Sequence, residues 1–83
     1  MTHNIPELKK YLARRINEYY ANASRDYDIS GGYESATISG SDLIIAFYDD
    51  GEHYKAKIAY YSDYTPEQLF NLFIDGYWEE LPA

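Results

Sequence analysis

Asp49, Asp50 and Glu52 set three carboxylates into four consecutive positions, with Gly51 among them and Tyr48, His53 and Tyr54 beside them. Carboxylates at that density suit metal ligation, acid–base catalysis, or the display of negative charge to a basic partner. Metal ligation fits poorly, because a calcium loop spaces its oxygens and ends in a bidentate Glu, a pattern missing here. Catalysis fits no better. His53 has no second His or Cys near it, His3 lies in a terminus expected to fray, and no Ser/His/Asp spacing is legible. Gly31-Gly32 lack the following Lys and helix of a phosphate loop. The expectation is a non-catalytic protein with no metal and no cofactor, whose carboxylates serve binding.

Asp50-Gly51 is the strongest short hairpin signal, a two-residue type I′ turn, and a hairpin tip projects far enough to enter a cleft. Turn geometry alone accounts for Asp50 and Gly51. It does not account for Asp49 and Glu52, since like charges facing across a hairpin cost stability. The whole chain repeats the bias. Residues 1–25 hold Lys9, Lys10, Arg14, Arg15 and Arg25 against Glu7 and Glu18, a net of +3; residues 26–83 hold Lys55 and Lys57 against 12 Asp and Glu, a net of −10. Self-repulsion in such a field opposes compaction, whereas a negative surface speeds encounter with a positive one, such as an Arg/Lys-lined nucleic-acid groove. Acidity for solubility is the plainer alternative.

The 83 residues suffice for a single domain, 1–83, with a thin core. The absence of cysteine removes disulfides and thiolate chemistry and fits a reducing cytoplasm, that of the host cell if the chain is phage-encoded. No apolar run reaches the roughly 18 residues that span a bilayer, and no apolar signal segment follows a basic one. Phosphate and anionic lipid would repel the acidic part, so neither direct nucleic-acid binding nor membrane binding is expected there. The 11 tyrosines suit both half-buried strands and interfaces, and about half are expected in the core.

The elements that must hold the carboxylates follow from periodicity. Asn4 as N-cap, with Glu7 three residues on, opens an amphipathic helix over about Pro6–Asn22, with Ile5, Leu8, Tyr11, Leu12, Ile16, Tyr19, Tyr20 and Ala23 at helical spacing. Lys9, Lys10, Arg14, Asn17 and Glu18 fall on its outward side. Turns at Asp50-Gly51 and Gly40-Ser41 then define a three-stranded meander. Both turns put Ala36, Ile38, Leu43, Ile45, Phe47, Tyr54, Ala56, Ile58 and Tyr60 on one face, with Glu34 discordant opposite Phe47 at a fraying strand end. Tyr33, Ser35, Thr37, Ile44, Tyr48, His53, Lys55, Lys57 and Tyr61 would form the open face. Thr65-Pro66-Glu67-Gln68 caps a second, C-terminal helix that Gly76 stops. The predicted class is α+β in two layers: helix, three-stranded antiparallel meander, helix.

Leu43-Ile44-Ile45, Asp50-Gly51-Glu52 and Tyr54, followed by a helix with Phe70, Phe73 and Gly76-Tyr77-Trp78-Glu79-Glu80, resemble the small phage and prophage anti-CRISPR proteins that inhibit Cas9. The resemblance covers residues 42–80 and extends to size, acidity, lack of cysteine and element order. It implies a protein that occupies the PAM-reading and DNA-entry region of a guide-loaded nuclease, with acidic side chains standing in for DNA phosphates. Asp50, Gly51 and Glu52 match that family's hairpin tip, and Glu79 and Glu80 match the start of its acidic stretch. The present sequence stops at Ala83, where that family continues with more carboxylates and a further helix, which leaves the target open between Cas9, another CRISPR effector and another nuclease.

The partner-binding residues predicted are thus Tyr48, Asp49, Asp50, Gly51 and Glu52, with Glu34, Asp42, Glu79 and Glu80. If the tip is only a turn, the functional acids lie among Glu34, Asp42, Asp63, Asp75, Glu79 and Glu80. The partner expected is a basic protein surface, met as a monomer or weak homodimer. An immunity or antitoxin protein that caps a toxin nuclease meets the same requirements, as does, in another class, a structural module that dimerises through the tyrosine-bearing sheet face.

Overall fold

Asn4 caps the first helix, its Oδ1 accepting the Glu7 N–H at 3.2 Å. The computed structural model describes residues 4–61 and 63–82, so His3 lies outside the described residues. Helix α1 (Ile5–Tyr27) runs 23 residues, five beyond the predicted end. Nothing in Ala23-Ser24-Arg25 breaks a helix, and the stop comes at Asp28, which adopts a left-handed φ of 59°. Leu8, Leu12, Ile16 and Tyr20 form its buried stripe.

Three strands follow, β1 (Gly31–Ser39), β2 (Asp42–Asp49) and β3 (Glu52–Ala59), then helix α2 (Pro66–Ile74) and a two-residue strand β4 (Glu79–Glu80). The class is α+β, and the sheet is antiparallel with order β1-β2-β3-β4. The three-stranded meander is therefore corrected to four strands, and α2 is not the last element. Thr65 and Gln68 cap α2 reciprocally. After it, Gly76 turns the chain at φ 82° and the Tyr77 N–H reaches back to the Leu72 carbonyl. The Trp78 indole N–H donates to the Phe73 carbonyl at 3.1 Å, which swings residues 79–80 back alongside Lys57 and Ala56.

Register over β2 and β3 is the predicted one, with Phe47 opposite Tyr54, Ile45 opposite Ala56 and Leu43 opposite Ile58. On β1 it holds from Ser35 to Ser39 and departs before Ser35. A bulge lets Tyr33, instead of Glu34, pair with Phe47. Tyr33 packs against the core, where it had been placed on the open face, and Glu34 is exposed. Skipping one residue keeps an ionised side chain out of an apolar interior, where it would be costly. Both helices cover one sheet face, α1 over β1 and α2 over β3. Beneath them Ala36, Leu43, Ile45, Phe47, Ala56 and Ile58 are buried with Leu69, Phe70 and Phe73. Five tyrosines, Tyr19, Tyr27, Tyr48, Tyr61 and Tyr77, are exposed; the other six are buried or pack on the core.

Candidate functional site

The β2–β3 turn has Asp50 at φ 52° and Gly51 at φ 88°, both left-handed as a type I′ turn requires. Its apex is tied down, the Asp50 N–H donating to the Ser30 carbonyl at 2.6 Å. That bond joins the tip to the loop after α1 and brings Asp28 and the last turn of α1, with Asp26, to the same end of the molecule. Asp26 and Asp28 were not among the predicted contact residues. Their signal was available: a helix C-terminus favours cations, so acids placed there run against the helix dipole. The shortened helix boundary concealed it.

The tip has two faces. Toward the helices, Asp49 and Glu52 stand opposite one another across the hairpin, and each accepts a phenol. Tyr20 donates to Asp49 Oδ2 at 2.8 Å, and Tyr54 to Glu52 Oε2 at 2.7 Å. Burial, followed by the Asp49 hydrogen bond and charge, pushes the Tyr20 hydroxyl well above its ordinary pKa. The Glu52 hydrogen bond raises Tyr54, with burial and the charges of Glu52, Asp49 and Glu80 adding to it. Two phenols thus offset part of the like-charge cost, so Asp49 and Glu52 have a structural role as well as a charge to offer. On the open face, Glu34 Oε1 lies 2.9 Å from His53 Nδ1, an ion pair when His53 is protonated, and the exposed Tyr48 ring sits 6.1 Å from that imidazole.

Behind the tip, on the helix side, the sandwich opens into a cleft of about 210 Å³ whose lining includes Tyr20, Phe47, Asp49, Phe73 and Trp78. An adjoining recess of about 230 Å³ shares Phe47, Asp49 and Trp78 and adds Tyr54. Phe47 is the hub: edge-to-face with Phe73 at 4.9 Å and with Trp78 at 5.8 Å, stacked on Tyr54 at 5.5 Å. This end of the sheet is roofed by aromatic rings because α2 stops at Ile74 and Trp78 folds back over Phe73.

The remaining predicted acids are dispersed. Asp42 is half-buried at the far end of β2, about 23 Å along the strand from Asp49. Glu79 and Glu80 belong to an edge strand; Glu79 lies 3.7 Å from Lys57 Nζ, while Glu80 acts on the Tyr54 hydroxyl from beside it. Asp63 and Asp75 are exposed, the latter capping α2. The structure therefore brings Tyr48, Asp49, Asp50, Gly51, Glu52 and Glu34 together and leaves Asp42 and Glu79 apart. Among the described residues no group of His, Cys, Asp and Glu is placed to hold a metal ion, and no helix is long and apolar enough to cross a membrane. A concavity of about 540 Å³ along α1 is lined by Arg15 and Arg25 together with Glu18. Comparison of the chain with family models, curated proteins and solved structures finds no match.

Proposed function

We propose that the protein is a non-catalytic inhibitor whose acidic tip enters and blocks the basic nucleic-acid channel of a CRISPR effector nuclease, partly by imitating DNA. The observation that carries the reading is that the β2–β3 turn, with Asp49, Asp50 and Glu52, is hydrogen-bonded to the loop after α1, whose last turn and cap hold Asp26 and Asp28. Among the described residues, none of these five carboxylates pairs with Lys, Arg or His. Spaced negative charges on a projecting element can satisfy arginines that otherwise hold phosphates, and the opposed fields speed association. Lys9, Lys10, Arg14 and Arg15 lie in the N-terminal half of α1, away from the end that meets the tip, with Arg25 alone in its last turn; they orient the molecule, turning its acidic end toward a positive surface.

The test is target-DNA binding by guide-loaded Cas9, and by representatives of other CRISPR effector types, with increasing amounts of this protein. The expected outcome is loss of DNA binding for one effector, weakened by Asp50→Asn with Glu52→Gln, which remove charge and keep the turn. Inhibition should also weaken as salt shortens the Debye length from about 10 Å toward 3 Å. Undiminished DNA binding by every effector at saturating protein would refute the reading.

A further inference from the structure

We propose that the aromatic cleft behind the tip is a receptor for one alkylguanidinium group, held over the rings and against the Asp49 carboxylate. Ring faces attract cations, Arg guanidinium above all, and a half-buried carboxylate beside apolar surface is screened less than one in open water. Trp78, half-buried, supplies the accessible ring, backed by the buried Phe47 and Phe73, and Asp49 supplies the charge, within a cleft of about 210 Å³. Asp49 is half-buried, and the Tyr20 hydroxyl occupies its Oδ2. Among the described residues no Lys, Arg or His pairs with it, so the carboxylate keeps acceptor capacity, on Oδ1 above all, for a guanidinium N–H.

The fold contains an internal precedent. One turn earlier on α2, the Arg15 guanidinium carbon lies 4.5 Å from the Phe70 ring centroid and 5.5 Å from that of Tyr11. That corner has the cation in place. The Phe73 corner, three residues along the same helix, has rings and a carboxylate and lacks the cation. The ligand chemistry is shared by an arginine side chain of a partner protein and by a free guanidino metabolite. The inference does not depend on the inhibitor reading: a cleft that takes no cation leaves the turn carboxylates as a contact surface, and an inhibitor reading that fails leaves the cleft its ligand.

Trp78 is the sole tryptophan and lines the cleft, so its fluorescence reports occupancy. The whole protein is titrated with agmatine, with Nα-acetyl-arginine methylamide, and with the uncharged N-butylurea, at constant ionic strength. The two guanidinium compounds should give a saturable change and butylurea none. Tighter binding of the arginine amide assigns the site to a protein side chain, and tighter agmatine to a free metabolite. Asp49→Asn, which still accepts the Tyr20 hydroxyl, should weaken binding at least about tenfold, while Glu7→Gln in the first turn of α1 should leave it unchanged. Amide chemical shifts should move at Asp49 and at the Trp78 indole. No saturable response to either guanidinium compound, or an equal response to butylurea, would overturn the proposal. So would unchanged affinity in a folded Asp49→Asn protein.

Discussion

Two corners of this molecule are built from the same parts and finished differently. At one, Arg15 lies over Phe70 and Tyr11 and reaches Glu18 at 4.0 Å, so that charge, rings and counter-charge are all supplied from within. At the other, Phe47, Phe73 and Trp78 line a cleft with Asp49, whose counterpart within the described residues is a neutral phenol. The first corner spends its interactions on holding α1 against α2. The second leaves a half-buried negative charge without a cation beside apolar surface, an arrangement that suits recognition.

Removing the hub breaks the comparison most severely. Phe47→Ala should cost about 3–5 kcal/mol of folding stability, because the ring is buried against Tyr54, Phe73 and Trp78. Denaturant titration followed by circular dichroism measures it; a loss below about 1 kcal/mol would mean that the acidic corner is not packed as described. Next in size is Asp49→Ala, which leaves the buried Tyr20 hydroxyl without its acceptor and should cost about 1–2 kcal/mol. In a Tyr20→Phe background the same substitution should cost less, and the difference measures the coupling.

The same pair has a pH signature. Tyr20, Tyr33 and Tyr54 all have hydroxyl pKa values raised in the folded state. A raised phenol means that the native state holds its proton more tightly than the unfolded chain does. This stability is fully present below the unfolded value of about 10 and is lost as pH rises through the folded values. Urea midpoints should therefore fall above about pH 10, and Tyr20→Phe should flatten that fall. At the completed corner Arg15→Met keeps the stem, removes the cation and should cost about 0.5–1 kcal/mol. Smallest is Glu52→Ala, an exposed site expected to stay within about 0.5 kcal/mol. An Arg15 effect larger than that of Asp49 would reverse the division between a structural and a recognition corner.

How much of this was legible in the sequence differs element by element. The β2–β3 register was readable because Asp50-Gly51 fixes one turn type and a slip would turn Leu43, Ile45 and Phe47 to solvent. The N-caps Asn4 and Thr65 were readable because side-chain capping is local chemistry. The bulge was foreshadowed by Glu34, the one residue that spoiled the pattern, but a bulge needs the partner strand and the core to decide where the extra residue goes. Strand β4 was invisible, since two residues are too few to show alternation and their pairing depends on Trp78 docking on Phe73. The tip carboxylates were found by density alone. Their division between two faces, the phenols that meet Asp49 and Glu52, and the approach of Asp26 and Asp28 depend on contacts between residues far apart in sequence, such as Tyr20 with Asp49, which no local pattern encodes.

The bond from the Asp50 N–H to the Ser30 carbonyl has a consequence for motion. Hairpin tips normally exchange their amide hydrogens fast, because nothing but solvent contacts them. Here the apex amide is held by a segment 20 residues earlier, so opening it requires the loop after α1 to detach from the turn. The Asp50 amide should therefore exchange more slowly than its position implies, and tip and loop should loosen together. A charged apex that is already ordered gives up little freedom when it meets a partner, which lowers the entropic cost of docking.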